Sequence, residues 1–213
     1  MRYSLIIFDL DGTLADSLPW FRRHVNSVAD RFGFRRIADE DVASLRHAGS
    51  REILSRLEVP LWKLPLIARH MRRLKARDIA DIPLFDGAER MLRTLAKGGS
   101  RLALVSSDSE ANARRQLGEA AALFSHFDCG ASIFGKAVKF RRVVKRAGTG
   151  RAQAIAIGDE VRDIEAARAA GIACGAVRWG FAAPEALQAR RPDLLFERME
   201  DIARQLAASH GAE

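Results

Sequence analysis

Short apolar runs alternate along most of the chain with longer segments in which apolar residues recur every three or four positions. The runs are typical of strands buried on both faces of a sheet, and the longer segments of amphipathic helices. Because strands that alternate with helices pair in parallel through right-handed crossovers, this order predicts an α/β fold with a doubly wound parallel sheet. The strands are predicted at residues 5–8, 101–105, 127–129, 154–157, 173–177 and, as an edge strand, 193–196.

One segment departs from this alternation, because residues 17–83 carry only helical patterns. The segment interrupts the first crossover, so it is predicted to be an all-helical insert on the carboxyl side of the first strand, where such sheets bind ligands. We therefore expect a core domain of residues 1–16 and 84–213 and an inserted helical domain of residues 17–83. Asp86 is expected to cap the helix that follows the insert.

The composition is that of a globular protein with a sizeable core. The 213 residues are 48% hydrophobic and 29% charged. No apolar run approaches the length of a membrane helix and no signal peptide precedes the first strand, so we expect no membrane partner and a cytoplasmic location. Cys129 and Cys174 lie in apolar or Gly/Ala-rich surroundings, which favours two buried free thiols.

The net charge of +8, from 35 basic and 27 acidic residues, raises the alternative of a nucleic-acid-binding module. The arginine pairs, however, are scattered over the polar faces of predicted helices and form no basic tail. We therefore interpret them as solvated helix faces and do not expect nucleic acid as a partner. A positive field would still draw an anionic substrate towards the protein.

Carboxylates follow the first predicted strand. Asp9 comes directly after the buried run and Asp11 two residues later, so in extended chain both point to the same side, and Gly12 then allows a sharp turn. A hard cation such as Mg²⁺ would relieve the repulsion between two such carboxylates. The alternative is that both acids serve only as turn or capping residues.

Polar residues also follow two other core strands, and in a parallel sheet these strand ends share one edge. Ser106 and Ser107 follow the second strand, where a hydroxyl can bind an anionic oxygen, although Ser106 can also be read as a helix cap. Asp159 follows the fourth strand and, with Asp9, would complete an oxygen-rich cation site. Asp163, four residues later, is expected on the same face of the next helix.

The sequence FDLDGTLADS resembles the first motif of the haloacid dehalogenase-like hydrolase superfamily, and more narrowly its phosphoglycolate phosphatase-like branch. GDEVRD is similar to the fourth motif, and the resemblance covers nearly the whole chain. It implies a Rossmann-like core, with the helical insert as a cap domain over the active site. It also implies a Mg²⁺-dependent phosphatase that acts on a small phosphorylated metabolite, 2-phosphoglycolate among the candidates.

The resemblance assigns roles to the carboxylates. Asp9 would be the nucleophile that forms an aspartyl-phosphate, and Asp11 the general acid and base. Mg²⁺ would be held by Asp9, by the backbone carbonyl of Asp11 and by Asp159, with Asp163 as a direct or alternate ligand. Glu160 is a further candidate ligand that the sequence does not rank.

The resemblance also implies phosphate-binding residues, namely Ser106 as the second motif with Ser107 and Gly12 beside the phosphate. Lys136 would be the third-motif cation. We prefer it to Lys139, which is expected to lie inside the helix and face water. Ser107 departs from the asparagine of many relatives, and the proline that often follows the lysine is missing.

Substrate choice is expected to lie in the polar turn of residues 45–52 within the insert. Arg46, His47 and Arg51 are candidates for binding a carboxylate or a second phosphate, and solvent-exposed helix ends are the alternative. Asp11 argues against a dehalogenase, because halide needs no proton. A sugar-phosphate mutase of the same superfamily remains the alternative enzyme, and the sequence does not define the oligomeric state.

Overall fold

The computed structural model describes residues 3–130 and 135–207, and in this part of the chain six parallel strands form one sheet. The strands are β1 Leu5–Phe8, β2 Arg101–Val105, β3 Phe124–Asp128, β4 Ala154–Gly158, β5 Ala173–Val177 and β6 Leu194–Phe196. Their order, β3-β2-β1-β4-β5-β6, shows that the chain winds outward to one side from β1 and then to the other side from β4. The predicted doubly wound α/β fold is confirmed, and its topological switch point lies between β1 and β4.

Side chains of the strands alternate between two apolar layers. Ile6 and Phe8 of β1 belong to the layer that packs against α5 (Ala88–Lys97) and α10 (Met199–Leu206). Leu5 and Ile7 belong to the layer that packs against α7 (Lys136–Arg146) and α8 (Val161–Ala170). All four are fully buried, which is why β1 reads as an unbroken apolar run. The helices that follow the insert are α5 Ala88–Lys97, α6 Glu110–Leu117, α7 Lys136–Arg146, α8 Val161–Ala170, α9 Pro184–Ala189 and α10 Met199–Leu206.

Four helices lie between β1 and α5, and we call the segment that contains them the helical insert. They are α1 Leu18–Phe32, α2 Asp39–His47, α3 Ser50–Arg56 and α4 Leu64–Arg77. The insert has a small apolar cluster of its own around Leu45, Leu57 and Val59, and it contacts the core where α2 meets α9 and α4 meets α6.

The two connections between the helical insert and the core run side by side. The backbone N–H of Asp16 donates to the carbonyl of Pro83 at 2.9 Å, and that of Phe85 donates to the carbonyl of Leu14 at 2.9 Å. The chain therefore leaves and re-enters the core at one place.

Some boundaries differ from the sequence-based expectation. β3 begins at Phe124, three residues before the predicted strand, because this edge strand is only partly buried and carries polar residues within it. Asp86 does not cap α5, since the N-cap is Gly87, in the left-handed region at φ 77° and without a side-chain cap.

The two cysteines differ in their burial. Both cysteines are free, but only Cys174 is buried and Cys129 is partly exposed, so the prediction of two buried thiols was half wrong. Within residues 3–130 and 135–207, no helix combines the length and the apolar character needed to cross a membrane.

Candidate active site

Three buried carboxylates meet at the switch point of the sheet. Asp9 follows β1, Asp159 follows β4, and Asp163 lies in the first turn of α8. Each offers one oxygen atom such that the three oxygens lie within 4.8 Å of one another. The N–H of Asp9 donates to the carbonyl of Ile157 at 2.9 Å, so strand pairing continues to the first carboxylate.

The carboxylate of Asp159 is fixed by the two loops that flank it. Thr13 Oγ1 donates to Asp159 Oδ1 at 2.9 Å, and the backbone N–H of Phe181 donates to Oδ2 at 2.7 Å. Gly12, at φ +76°, leaves the space that this carboxylate occupies, because a Cβ there would lie 2.2 Å from Asp159 Oδ2. Gly12 was predicted to bind phosphate, and the structure gives it a steric role beside Asp159.

Asp163 and Lys136 form the other side of the cluster. Asp163 Oδ2 accepts a hydrogen bond from the backbone N–H of Glu160 at 3.0 Å, which fixes the start of α8. Lys136 Nζ lies 2.5 Å from Asp163 Oδ1 and 2.8 Å from Asp9 Oδ2. Lys136 is the first residue of α7, and its ammonium joins the acids of two different elements.

Lys139, in contrast, was expected to face water, and that prediction was wrong. It is buried, and its Nζ lies 2.8 Å from the Asp128 carbonyl oxygen and 3.2 Å from Asp128 Oδ1. Residues three apart lie close to the same face of a helix, so Lys136 and Lys139 both point inward. Lys139 therefore pairs with the end of β3, whereas Lys136 pairs with the three-carboxylate cluster.

Burial and like charge shift the pKa values of the carboxylates. Burial raises the pKa of Asp9 to about 6, although the ammonium of Lys136 opposes the rise. Burial, with Glu160 and Asp9 nearby, raises the pKa of Asp159 well above its usual value. Burial would also raise the pKa of Asp163, but Lys136 and Arg162 hold it below the usual value.

The side chains around the cluster include more acidic than basic groups, which suits a divalent cation. Arg162 pairs with Glu160 and lies beside the cluster, where the acidic groups outweigh the burial and raise its pKa. The acidic side chains here outnumber the basic ones by two, since Asp9, Asp159, Glu160 and Asp163 face Lys136 and Arg162. Carboxylate oxygens are the donors that hard divalent cations prefer, so the residues present fit such an ion.

The loop after β2 lies beside β1 at the same edge of the sheet. Ser106 is buried, and its Oγ accepts a hydrogen bond from the backbone N–H of Asp108 at 3.0 Å. The cap of α6 is Ser109, whose side chain accepts from the N–H of Asn112 at 3.2 Å, so the capping alternative for Ser106 was wrong. The Ser107 carbonyl accepts from Arg72 Nε of the helical insert at 3.0 Å.

Asp11 contacts a residue that the sequence did not single out. Lys75, in α4 of the helical insert, places its Nζ 2.5 Å from Asp11 Oδ1 and 3.0 Å from Asp108 Oδ2. Its side chain is only 5% exposed. The one available signal was its position four residues after Met71, on the edge of the apolar stripe of α4.

Of the three residues predicted to select the substrate, the structure brings one to the edge of the site. Arg46 donates from Nε to the Phe181 carbonyl at 3.0 Å and from Nη2 to the Gly180 carbonyl at 3.2 Å. This is the loop whose N–H binds Asp159. His47 is exposed, and Arg51 lines a surface cavity of about 510 Å³ formed by residues of the insert.

Comparisons with known proteins find relatives that match most of this chain. The phosphoglycolate phosphatase of Synechococcus elongatus is 35% identical over 199 residues, which covers 92% of this chain and 94% of that protein. A 5'-nucleotidase of Pseudomonas aeruginosa is 28% identical and covers 90% of each chain. A solved haloacid dehalogenase-like family hydrolase of Streptococcus pneumoniae has a TM-score of 0.78 at 21% identity, covering 96% of this chain and 98% of its own.

The similarity extends to the level of a family model. The model described as haloacid dehalogenase-like hydrolase matches residues 6–177, a stretch that runs from β1 to β5 and contains Asp9, Asp159 and Lys136. Because this match spans most of the sheet and the whole carboxylate cluster, the chain belongs to the haloacid dehalogenase-like hydrolase family.

Proposed function

We propose that this chain is a Mg²⁺-dependent phosphatase that hydrolyses small phosphomonoesters, with 2-phosphoglycolate as the first candidate substrate. The observation that carries the proposal is the buried contact of Lys136 with Asp9, 2.8 Å apart, beside the carboxylates of Asp159 and Asp163. Similarity to a phosphoglycolate phosphatase over 92% of the chain supports the choice of substrate.

In this proposal Asp9 is the nucleophile. An oxygen of its carboxylate attacks phosphorus, the bond from phosphorus to the ester oxygen breaks, and an aspartyl-phosphate forms. Asp11 gives a proton to the departing oxygen and later takes one from the water that attacks the aspartyl-phosphate. Asp9 is then regenerated, and inorganic phosphate and an alcohol are released.

The chain would hold Mg²⁺ through Asp9, Asp159 and the Asp11 carbonyl, with Asp163 as a direct or alternate ligand. When bound, the ion supplies positive charge that offsets the repulsion between the nucleophile and an anionic substrate. The hydrogen bonds from Thr13 and Phe181 hold Asp159 in place for this task before any ligand arrives.

The remaining residues would bind the transferring phosphoryl group. Asp163 and Asp9 raise the pKa of Lys136 despite its burial, so its ammonium stays charged and can bind a phosphoryl oxygen. The hydroxyl of Ser106 accepts a bond from Asp108 and keeps its own hydrogen for a phosphoryl oxygen. Ser107 and the loop at Gly12 complete the proposed pocket.

We propose that residues 17–83 act as the cap over this site. The polar contacts of Arg46 and Arg72 with core carbonyls attach the helical insert to the core at Phe181 and at Ser107. Such contacts can break and reform as substrate enters and product leaves.

The test is phosphate release from a panel of phosphomonoesters that includes 2-phosphoglycolate and a nucleoside 5'-monophosphate, because one relative is a 5'-nucleotidase. Wild type is compared with Asp9→Asn, each with Mg²⁺ and with chelator. Asp86→Asn, an exposed carboxylate outside the site, is the matched control. We expect release only with both Mg²⁺ and Asp9, and a loss of at least about 10⁴-fold in kcat for Asp9→Asn.

Three outcomes would overturn the proposal. Near-normal activity of Asp9→Asn would show that Asp9 is not the nucleophile. If a sugar phosphate were isomerised without free phosphate, the mutase alternative would take its place, and salt-sensitive DNA binding without any turnover would favour the noncatalytic alternative.

A further inference from the structure

The buried ammonium of Lys75 is a group that the proposed mechanism does not use. It comes from α4 of the helical insert, whereas the proposed nucleophile, cation ligands and phosphate-binding residues belong to the core. Its Nζ lies 2.5 Å from Asp11 Oδ1, closer than its 3.0 Å distance to Asp108 Oδ2. An ammonium has three donors, so it can bind both carboxylates together.

Asp108 is itself held in a fixed place by the core. Its Oδ1 accepts hydrogen bonds from the backbone N–H of Ser109 at 2.6 Å and from Asn112 Nδ2 at 2.9 Å. The second oxygen, Oδ2, is left to face Lys75. An acid beside a phosphate site is unfavourable unless a cation pairs with it, and Lys75 is the cation that pairs with Asp108.

The backbone of α4 is attached to the same core loop and helix. Asn112 Nδ2 donates to the Arg72 carbonyl at 2.9 Å, and Arg115 Nη1 donates to the Ala76 carbonyl at 2.9 Å. These two bonds bracket Lys75 along α4. The position of its ammonium is therefore set by the core on one side and by the helix on the other, independently of Asp11.

Asp11, in contrast, is only partly buried, with its side chain 30% exposed. A carboxylate that hands a proton to a leaving oxygen must be held in one orientation, because proton transfer requires hydrogen-bond distance. We propose that Lys75 is the positioning residue for Asp11, held by Asp108, so that docking of the helical insert completes the general acid. This inference rests on the proposed function, since it assigns Asp11 the role of general acid.

The proposal predicts a dependence on the leaving group. An alkoxide needs a proton as it departs, whereas p-nitrophenolate leaves without one. Lys75→Met should therefore lower kcat/KM, which reports the step in which the alcohol departs, by about 10²-fold for 2-phosphoglycolate and for ethyl phosphate, the scale of general-acid catalysis. With p-nitrophenyl phosphate, kcat/KM should change by less than about threefold. A fall in kcat shared by all three esters is compatible with the proposal, because Asp11 also serves the common hydrolysis of the aspartyl-phosphate.

Three further variants sharpen the experiment. Arg73→Met removes an exposed cation from the same helix and should leave all three rates unchanged. Lys75→Arg keeps the charge and should restore part of the lost rate. Asp108→Asn should show the same leaving-group pattern at smaller size, and it tests the proposal even if Lys75→Met does not fold.

The outcomes separate this inference from the proposed function. Equal losses of kcat/KM on all three esters would make Lys75 a merely structural contact, and a loss confined to 2-phosphoglycolate would make it a carboxylate-binding residue; either result overturns the inference while the phosphatase stands. If wild type released phosphate from none of the esters, the proposed function would fail and this inference with it.

Discussion

The two halves of the candidate site are held by different forces. The sheet places Asp9 and Asp159 directly after strands that are almost fully buried, so apolar packing on both faces fixes their backbone. The helical insert reaches the site with Arg46 and Lys75 through hydrogen bonds and ion pairs. Apolar packing resists displacement of single atoms, whereas a few polar contacts can exchange with water. We call the part of this edge of the sheet that carries Asp9, Gly12, Lys136 and Asp159 the rim. The rim is therefore suited to hold reacting groups, whereas the insert is suited to approach and withdraw.

Apart from the loss of Asp9 itself, the largest expected effect comes from removing the ammonium of Lys136. Lys136→Met should lower kcat for a phosphomonoester by about 10²- to 10³-fold, because it removes a preorganised charge from the place where phosphoryl oxygens would bind. Lys139→Met is the matched control on the same helix, since Lys139 pairs with Asp128 instead. It should change kcat little and lower the free energy of unfolding by about 1–3 kcal/mol.

Steady-state kinetics and denaturant unfolding of both variants provide the measurement. Similar losses in kcat for Lys136→Met and Lys139→Met would mean that contact with the carboxylate cluster does not give Lys136 a particular role in the reaction. A strongly active Lys136→Met would show that the ammonium near Asp9 serves only the fold.

A second expected effect is that the free energy of unfolding depends on pH through the carboxyl group of Asp9. Burial raises the pKa of Asp9 in the folded protein to about 6, from an ordinary value of 3.8. The fold therefore favours the protonated form, and this contribution to stability is complete below the ordinary pKa and lost as pH rises through about 6. A rise of about 2 in pKa corresponds to about 3 kcal/mol.

The measurement is denaturant unfolding in chelator at several pH values between 4 and 7. Relative to wild type, Asp9→Asn should gain up to about 3 kcal/mol of unfolding free energy over this range. Adding Mg²⁺ at pH 7 should then stabilise wild type more than the variant. If the difference in unfolding free energy between the two proteins did not change with pH, Asp9 would not have a raised pKa in the folded protein.

The smallest of these effects compares two glycines. Gly12→Ala in the rim should lower the free energy of unfolding by about 1–3 kcal/mol, because φ is +76° and the new Cβ would meet Asp159. Gly49→Ala in the helical insert should stabilise the protein slightly or leave it unchanged, since φ is −75° and no heavy atom lies within 4 Å of its Cβ position.

Thermal unfolding of the two alanine variants tests this contrast. Equal destabilisation would mean that the insert is packed as closely as the rim. A well-tolerated Gly12→Ala would show that Asp159 can move aside without cost.

The sequence predicted the rim better than the insert. β1, β2, β4 and β5 were placed within a residue of their observed bounds, because strands buried on both faces leave unbroken apolar runs. The parallel topology then brought Asp9 and Asp159 together without any knowledge of side-chain contacts. β3, a partly exposed edge strand, leaves a weaker pattern, and three of its residues were missed.

The residues that were missed or misread depend on tertiary contacts. Lys75 becomes significant only because α4 lies against α6, and nothing in the periodicity of α4 fixes that neighbour. Lys139 was read as a surface lysine because its partner, Asp128, lies on another element. A buried charge cannot be recognised from its own helix when its counter-charge is distant in sequence.

The paired connections of the helical insert have a consequence for the architecture of the gene product. Since Asp16 bonds to Pro83 and Phe85 bonds to Leu14, the segment between them can be exchanged as a module. A short turn, or a helical segment of another length, can join the same two backbone strands without altering the order of the sheet. Such an exchange would replace Arg46 and Lys75 in one piece while the core keeps Asp9, Asp11, Asp159 and Lys136.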